Sequence, residues 1–211
     1  MKEQPAWDST TAIALLSRAN ELRQQKDYMS ALAIYLEIQQ KFGETATLLA
    51  MIAHCHFWAT MTHQQGENGY KEAILWLKKA IALEPDNARF YTELGQYYWM
   101  GNLDYEQAVW AYRRALELNL NHLQALNSAV ILYDTPERVI ALDEAINWLE
   151  RASRLEPYDP TIHYWLGNFY YKASRQHDAR REWLMALLCP EPLASGPVEI
   201  VEKALNARDA P

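Results

Sequence analysis

His54, Cys55, His56 and His63 are residue types that ligate metals or shuttle protons, and they share one ten-residue stretch. Metal binding needs ligands that converge on one point with a supporting outer layer. His56 and His63 share a helix face only if one helix runs through both, and His54 and His56 do not share one. The stretch is therefore expected to be polar residues on a helix plus a loop histidine, with no metal. The acidic pairs Asp143/Glu144 and Glu199/Glu202 read as exposed helix faces, because general acid–base work needs carboxylates held around a pocket. Arg175, Arg180 and Arg181 read as a solvated face. No glycine-rich phosphate loop, nucleophile elbow or zinc-protease motif occurs. Cys55 and Cys189 read as two separate small apolar residues rather than a bridge. Neither a catalytic residue nor a cofactor is expected, and the chain reads as a non-enzyme.

What organises these residues is a pattern. An alanine, a large residue four on, a second contact residue three further and a break about five later return five times. They read Ala31/Tyr35/Ile38/Gly43, Ala73/Leu77/Ala80/Pro85, Ala108/Tyr112/Ala115/Leu120, Ala145/Leu149/Ala152/Pro157 and Ala179/Trp183/Ala186/Glu191. The alanines at 31, 73, 108, 145 and 179 stand 42, 35, 37 and 34 residues apart. A helix–turn–helix unit closes at about 34 residues. The surplus must lie in loops, since extra residues inside a helix would rotate its apolar stripe. Thr60 to Gly69 and Asp134 to Ile140 are the expected sites, and such insertions often carry partner contacts. Upstream of each alanine a first helix carries its own small contact residue: Ala19, Ala53, Gly95, Ala129 or Val130, and Gly167. A helical glycine costs about 1 kcal/mol against alanine, which close helix approach must offset.

Capping signals fit these pairs. Asp8-Ser9-Thr10, Asp86-Asn87, Asp104 with Gln107, and Asp159 before Pro160 are N-terminal signals. Pro85 and Pro157 end second helices. Val198, Val201 and Leu205 line one side of a short helix over 197–208, which would cap the array.

The run NARFYTELGQYYWMGNLDYEQAVWAYRRALELN resembles a tetratricopeptide repeat, with Leu94, Gly95 and Tyr98 in the first helix and Tyr105, Ala108, Tyr112 and Ala115 in the second. Five such units cover roughly 12–193. The resemblance implies an all-α fold, a right-handed α-solenoid of about five helix–turn–helix units plus a C-terminal capping helix. The expected organisation is an N-terminal segment 1–11, repeats at 12–45, 46–87, 88–122, 123–159 and 160–193, and a cap and tail at 194–211.

In that family the first helices line a concave groove that holds a peptide or helix of another protein. Carried onto this chain, the partner-binding candidates are Asn20, Arg23, His54, Trp58, Arg89, Gln96, Trp99, Asn127, Asp134, Tyr164, Asn168 and Tyr171. The amides can donate to and accept from a peptide backbone, and the aromatic rings offer large contact area with few rotors to freeze. Some relatives clamp a carboxylate tail with cations. Here Leu16 and Met51 stand at clamp positions, and Glu93 would repel a carboxylate, so no such clamp is expected. A basic residue of the partner is instead expected to meet Asp134 and Glu93.

The chain has 211 residues, 50% of them hydrophobic, and a net charge of −7. That composition excludes disorder, disfavours nucleic acid and offers no membrane-spanning run. With no signal-like N-terminus, a cytoplasmic location is expected. The function read from the sequence is a scaffold or adaptor for another protein, in the manner of an assembly factor or co-chaperone. The alternative is a structural module that forms homo-oligomers through its solenoid ends.

Overall fold

Lys26, His63 and Ser174 hold left-handed backbone, at φ 63°, 59° and 60°, and each sits just after a helix. Around them the chain closes the same bonds. Asp27, Gln64 and Arg175 each donate their N–H to the carbonyl five residues back, those of Leu22, Ala59 and Tyr170, at 2.9, 2.7 and 2.8 Å. This wide bond satisfies carbonyls that the ending helix leaves open and reverses the chain in a few residues. One turn geometry recurs because one unit recurs.

The computed structural model describes residues 9–64, 66, 68–136 and 138–206. The chain divides into two compact units, Met1–Ala111 and Tyr112–Pro211. The first holds α1 (Ser9–Gln24), α2 (Tyr28–Phe42), α3 (Ala46–Met61), α4 (Gly69–Leu83), α5 (Ala88–Tyr97) and a π-helical turn, Tyr98–Asn102, that prolongs α5. Helix α6 (Tyr105–Leu118) runs through the junction. The second unit holds α7 (Leu123–Tyr133), α8 (Leu142–Leu155), α9 (Pro160–Lys172), α10 (Gln176–Leu188) and α11 (Ser195–Asn206). In the first unit successive helices from α1 to α5 pack on one another; in the second, successive helices from α7 to α11 do.

The repeated pattern is the buried stripe of the second helices. Its alanines and large residues, from Ala31 and Tyr35 to Trp183 and Ala186, are none more than 5% exposed. Fully burying a Leu-sized side chain stabilises by about 1.5–3 kcal/mol, and the alanines between them let the backbones approach. In the first unit Ala31, Leu32, Tyr35 and Ile38 meet Ala19 and Leu22 of α1 and Leu48, Ile52 and Cys55 of α3. The small residue of a first helix has a matching role at Gly167. A Cβ there would stand 2.4 Å from Cδ1 and 2.6 Å from Nε1 of Trp183.

The expected caps form at three sites. Asn87 accepts from Arg89 N, Asp104 from Gln107 N, and Asp159 from Thr161 N and Ile162 N. The capping signal at Asp8 to Thr10 rests on Asp8, which lies outside the described residues. The first long connection is shorter than expected, because α3 continues through Met61. Its residue Gln64 turns back on the first helix pair. Gln64 Oε1 accepts from Tyr28 N (3.0 Å) and Met29 N (3.4 Å), and its Nε2 donates to Lys26 O (2.8 Å). The side chain thereby satisfies open N–H groups at the start of α2.

Candidate protein-binding surfaces

In the first unit the candidates come from α1, α3, α5 and the π turn. Asn20 is already engaged: its Oδ1 accepts from the Tyr35 hydroxyl at 2.7 Å. Trp58 is half-buried on α3, with Tyr28 stacked beside it at 6.4 Å, His54 at 6.1 Å and Phe57 edge-on at 5.4 Å. Together they form an aromatic cluster in which Trp58 keeps some exposure. Gln96 and Trp99 are half-buried one turn apart, and Gln96 Nε2 reaches Met100 Sδ at 3.6 Å. The π turn adds a residue to the ladder there, which re-aims the side chains beyond it.

His54 also borders a cavity of about 110 Å³, lined by Arg23, Thr47, Asn87, Arg89 and Glu93 together with the apolar side chains of Ala50, Met51 and Phe90. Arg89 Nε donates to Glu93 Oε1 at 2.8 Å. The expectation of an uncompensated Glu93 is therefore wrong, since a cation one turn back neutralises it. Burial raises the Glu93 carboxyl above its usual range, and Arg89 opposes the rise. His54 is held at about 4 by burial and by the positive charges of Arg23 and Arg89, so it is neutral near pH 7. Burial pushes the Cys55 thiol up to about 12, against the pull of Arg23, and leaves it a small apolar residue in chemical terms. His56 is buried and His63 lies beyond the helix in left-handed backbone. Among the described residues no three His, Cys, Asp or Glu side chains converge as a metal site.

In the second unit Asn127, Asp134, Asn168 and Tyr171 keep some exposure, whereas Tyr164 is 8% exposed. Its ring packs edge-on to Trp165 at 5.1 Å, so Tyr164 is a core residue rather than an open contact. The open position beside it is Trp165, half-buried and one turn before Phe169. Helical spacing could have found it, since Trp165, Asn168 and Lys172 succeed one another on one face. Asp134 accepts from Lys172 Nζ at 3.2 Å, and that ammonium also lies over the Tyr133 ring at 4.6 Å. Like Glu93, Asp134 already has its cation, so neither acid waits for a basic residue of a partner. Asn168 Oδ1 accepts from Trp183 Nε1 at 3.1 Å, and Tyr171 lies against the same indole at 5.7 Å.

Two further features escaped sequence reasoning. His163 Nδ1 meets Glu182 Oε2 at 2.8 Å and its Nε2 meets the Pro157 carbonyl at 3.0 Å, both side chains being buried. Two acceptors on two ring nitrogens require the imidazolium, which donates to both. The basic residues in and just before α10 are also engaged: Arg175 and Arg181 pair with Asp178, Arg181 also pairs with Glu182, and Arg180 donates to Leu205 O of α11.

Family comparison agrees with the repeat pattern. A family model described as "TPR repeat" matches residues 63–101 and 141–174, and one described as "Tetratricopeptide repeat" matches 88–122. The chain carries tetratricopeptide repeats over these residues. Among solved structures it resembles MamA, with 20% identity over 86% of this chain and 92% of that one, at a TM-score of 0.66. It also resembles YrrB, described as "a TPR protein with an unusual peptide-binding site", with 21% identity over 91% and 92% of the two chains and a TM-score of 0.64. PilF of Pseudomonas aeruginosa shares 15% identity over 92% of this chain and 86% of its own, at 0.69. At these identities the likeness shows the fold, an all-α array of the solenoid class. No curated protein matches the sequence. No helix among the described residues is long and apolar enough to cross a membrane.

Proposed function

We propose that this tetratricopeptide-repeat chain is a non-enzymatic scaffold whose first-helix faces hold a segment of another protein. One observation carries the reading. Five buried side-chain polar atoms among the described residues have no hydrogen-bond partner, and three belong to residues on the expected partner-binding faces. These are Arg23 Nε, His54 Nδ1 and Asn127 Oδ1; the others are on Tyr97 and Arg151. A buried polar atom without a partner costs about 1–3 kcal/mol, and such atoms are rare in folded proteins. Arg23 and His54, on α1 and α3 of the first unit, suit an incoming polypeptide that supplies the missing groups, and Asn127, on α7, offers the same chemistry in the second unit. The half-open rings of Trp58 and Trp99 supply contact area beside them.

The test is recovery of the bound protein by the immobilised chain. Trp58→Ala and Trp99→Ala should each lower recovery by about thirty-fold in affinity, the effect of losing about 2 kcal/mol at a hot spot. Circular dichroism must show the fold intact. Undiminished recovery by both variants refutes the reading.

A second reading, self-association, has one supporting feature. Leu184 and Leu188 of α10 and Ile200 of α11 are 47%, 76% and 54% exposed, an apolar surface of the kind that copies of a chain cover mutually. Light scattering decides it: a concentration-dependent dimer that Leu188→Glu abolishes favours this reading, and a strict monomer removes it.

A further inference from the structure

We propose that His163 is a proton-operated clasp in the second unit. Charged, its ring ties the α8–α9 turn to α10; neutral, it releases the turn, so that α9, α10 and α11 open away from α8 more readily. The clasp belongs to the free chain and does not rest on the scaffold reading.

Both ring nitrogens are committed. His163 sits in the first turn of α9, with Nδ1 2.8 Å from Glu182 Oε2 on α10 and Nε2 3.0 Å from the carbonyl of Pro157, in the turn after α8. The two side chains are 8% and 9% exposed, so little water is at hand to replace a lost bond. Two acceptors need two donated hydrogens, which only the imidazolium carries. When one proton leaves, the hydrogen on Nδ1 stays, because a bond to a carboxylate is the stronger of the two. The Nε2 lone pair then faces the Pro157 oxygen, and ring and turn must part.

The charge balance points the same way. Arg181 holds Glu182 Oε1 at 2.9 Å and also meets Asp178; Asp178 meets Arg175, which stands 3.9 Å from Glu150 of α8. These contacts join three carboxylates to two guanidiniums, and the His163 proton supplies the third positive charge. Asp159, which caps α9, adds attraction for that proton. Other charged groups on the packed elements turn elsewhere, Glu144 to Arg113 and Asp134 to Lys172. Among the described residues Asp143, Arg151 and Arg154 of α8, His177 of α10, and Glu199, Glu202 and Lys203 of α11 make no ion pair with His163 or Glu182. The bond to Glu182 lifts the ring above its ordinary 6.5 against burial, which puts the change on the neutral-to-alkaline side.

Position decides the consequence. A repeat array is held by each helix pair and by the interfaces between neighbouring pairs. Across this interface Glu150 also accepts from the Tyr170 hydroxyl at 2.7 Å, and Asp134 pairs with Lys172 at 3.2 Å. Tyrosine, lysine and carboxylate side chains at their ordinary pKa values keep their charge between about pH 6 and 8.5. Of these ties, the one made by His163 is therefore the one that changes over that range. Weakening one interface near the end of an array opens that end before the rest. The proton on His163 thereby sets how firmly the α9–α10 pair, with Asn168 and Tyr171 against Trp183, stays beside the α7–α8 pair.

The test is hydrogen exchange of the full chain, read by mass spectrometry from about pH 6 to 8.5, with labelling times scaled to equal intrinsic exchange. Protection of α9, α10 and α11 should fall about ten-fold on the alkaline side, while α7 and α8 hold theirs. His163→Gln, whose amide does not titrate, should remove that dependence. Long-range proton–nitrogen spectra of the imidazole should show both ring nitrogens protonated on the acid side and one proton lost with the same midpoint as the opening. Glu182→Gln leaves the ring in place and should lower that midpoint by about one pH unit, so the proposal stays testable if His163→Gln does not fold. A ring already neutral on the acid side, equal loss of protection in α7 and α8, or a pH dependence that His163→Gln leaves intact overturns it.

Discussion

Replacing Gly167 with alanine tests whether a first helix and its second helix touch as tightly as the geometry requires. The new methyl would sit 2.4 Å from Trp183 Cδ1 and 3.0 Å from Cγ. Ordinary carbon contact begins near 3.5 Å, so the indole must retreat by about 1 Å. Trp183 is 5% exposed and its Nε1 is bonded to Asn168 at 3.1 Å, so it cannot retreat freely. Over-packing of this kind costs about 1–3 kcal/mol, and the weakened indole bond adds about 1 kcal/mol. Alanine returns about 1 kcal/mol of helix propensity. The net loss is about 1–3 kcal/mol, a melting temperature lower by roughly 3–10 °C for a chain of this size. Urea unfolding monitored by circular dichroism measures it. In a Trp183→Ala background the new methyl meets no ring and should be neutral or stabilising, so the double-mutant cycle should show coupling of at least about 1 kcal/mol. Gly167→Ala matching or exceeding the parent's stability, with Trp183 present, refutes the packing argument.

Three other outcomes rest on particular contacts. The bond to Glu182, and then the Pro157 carbonyl, raise His163 above its ordinary 6.5 despite burial. The pair's contribution is thus full below pH 6.5 and lost as pH rises through the raised value. Glu182 is pushed up by burial but held below 4.5 overall by His163 and Arg181, so its share is lost only as pH falls through that lowered value. His163→Gln should therefore flatten the alkaline side of the unfolding free-energy profile, and a profile unchanged by it contradicts the assignment. Leu103, left-handed at φ 52° and 62% exposed, is strained by its Cβ; Leu103→Gly should stabilise by about 1 kcal/mol, read from the urea midpoint. Gln64→Ala strips the start of α2 of its acceptor and should cost about 1–2 kcal/mol, with amide hydrogen exchange quickening at Tyr28 and Met29 rather than across the chain.

The parts of this molecule written in short-range chemistry were legible in the sequence. The alanine stripe required second helices, and the caps at Asn87, Asp104 and Asp159 act within three residues of themselves. Charge partners were less so. Arg89 and Glu93 stand four apart and could have been paired on helical spacing. Asp134 and Lys172 are 38 residues apart, and His163 and Glu182 are 19 apart; such pairs depend on which helix faces meet. The burial of Tyr164 was hidden for the same reason, since helical period alone does not say where a neighbouring ring ends the open face. Gln64 lies in a stretch that reads as a loop, and its role depends on a turn some 36 residues earlier.

The central claim is that first-helix faces grip another protein, and site-specific photo-crosslinking tests it most directly. The photoreactive residue benzoylphenylalanine replaces Trp58, Trp99 or, as a control, Leu75, which is 50% exposed on the second helix α4. After irradiation in the cells that make the protein, captured partners are identified by mass spectrometry. The account predicts the same foreign polypeptide from positions 58 and 99 and none of it from position 75. Capture from 75 alone, or no foreign polypeptide from 58 and 99, contradicts it.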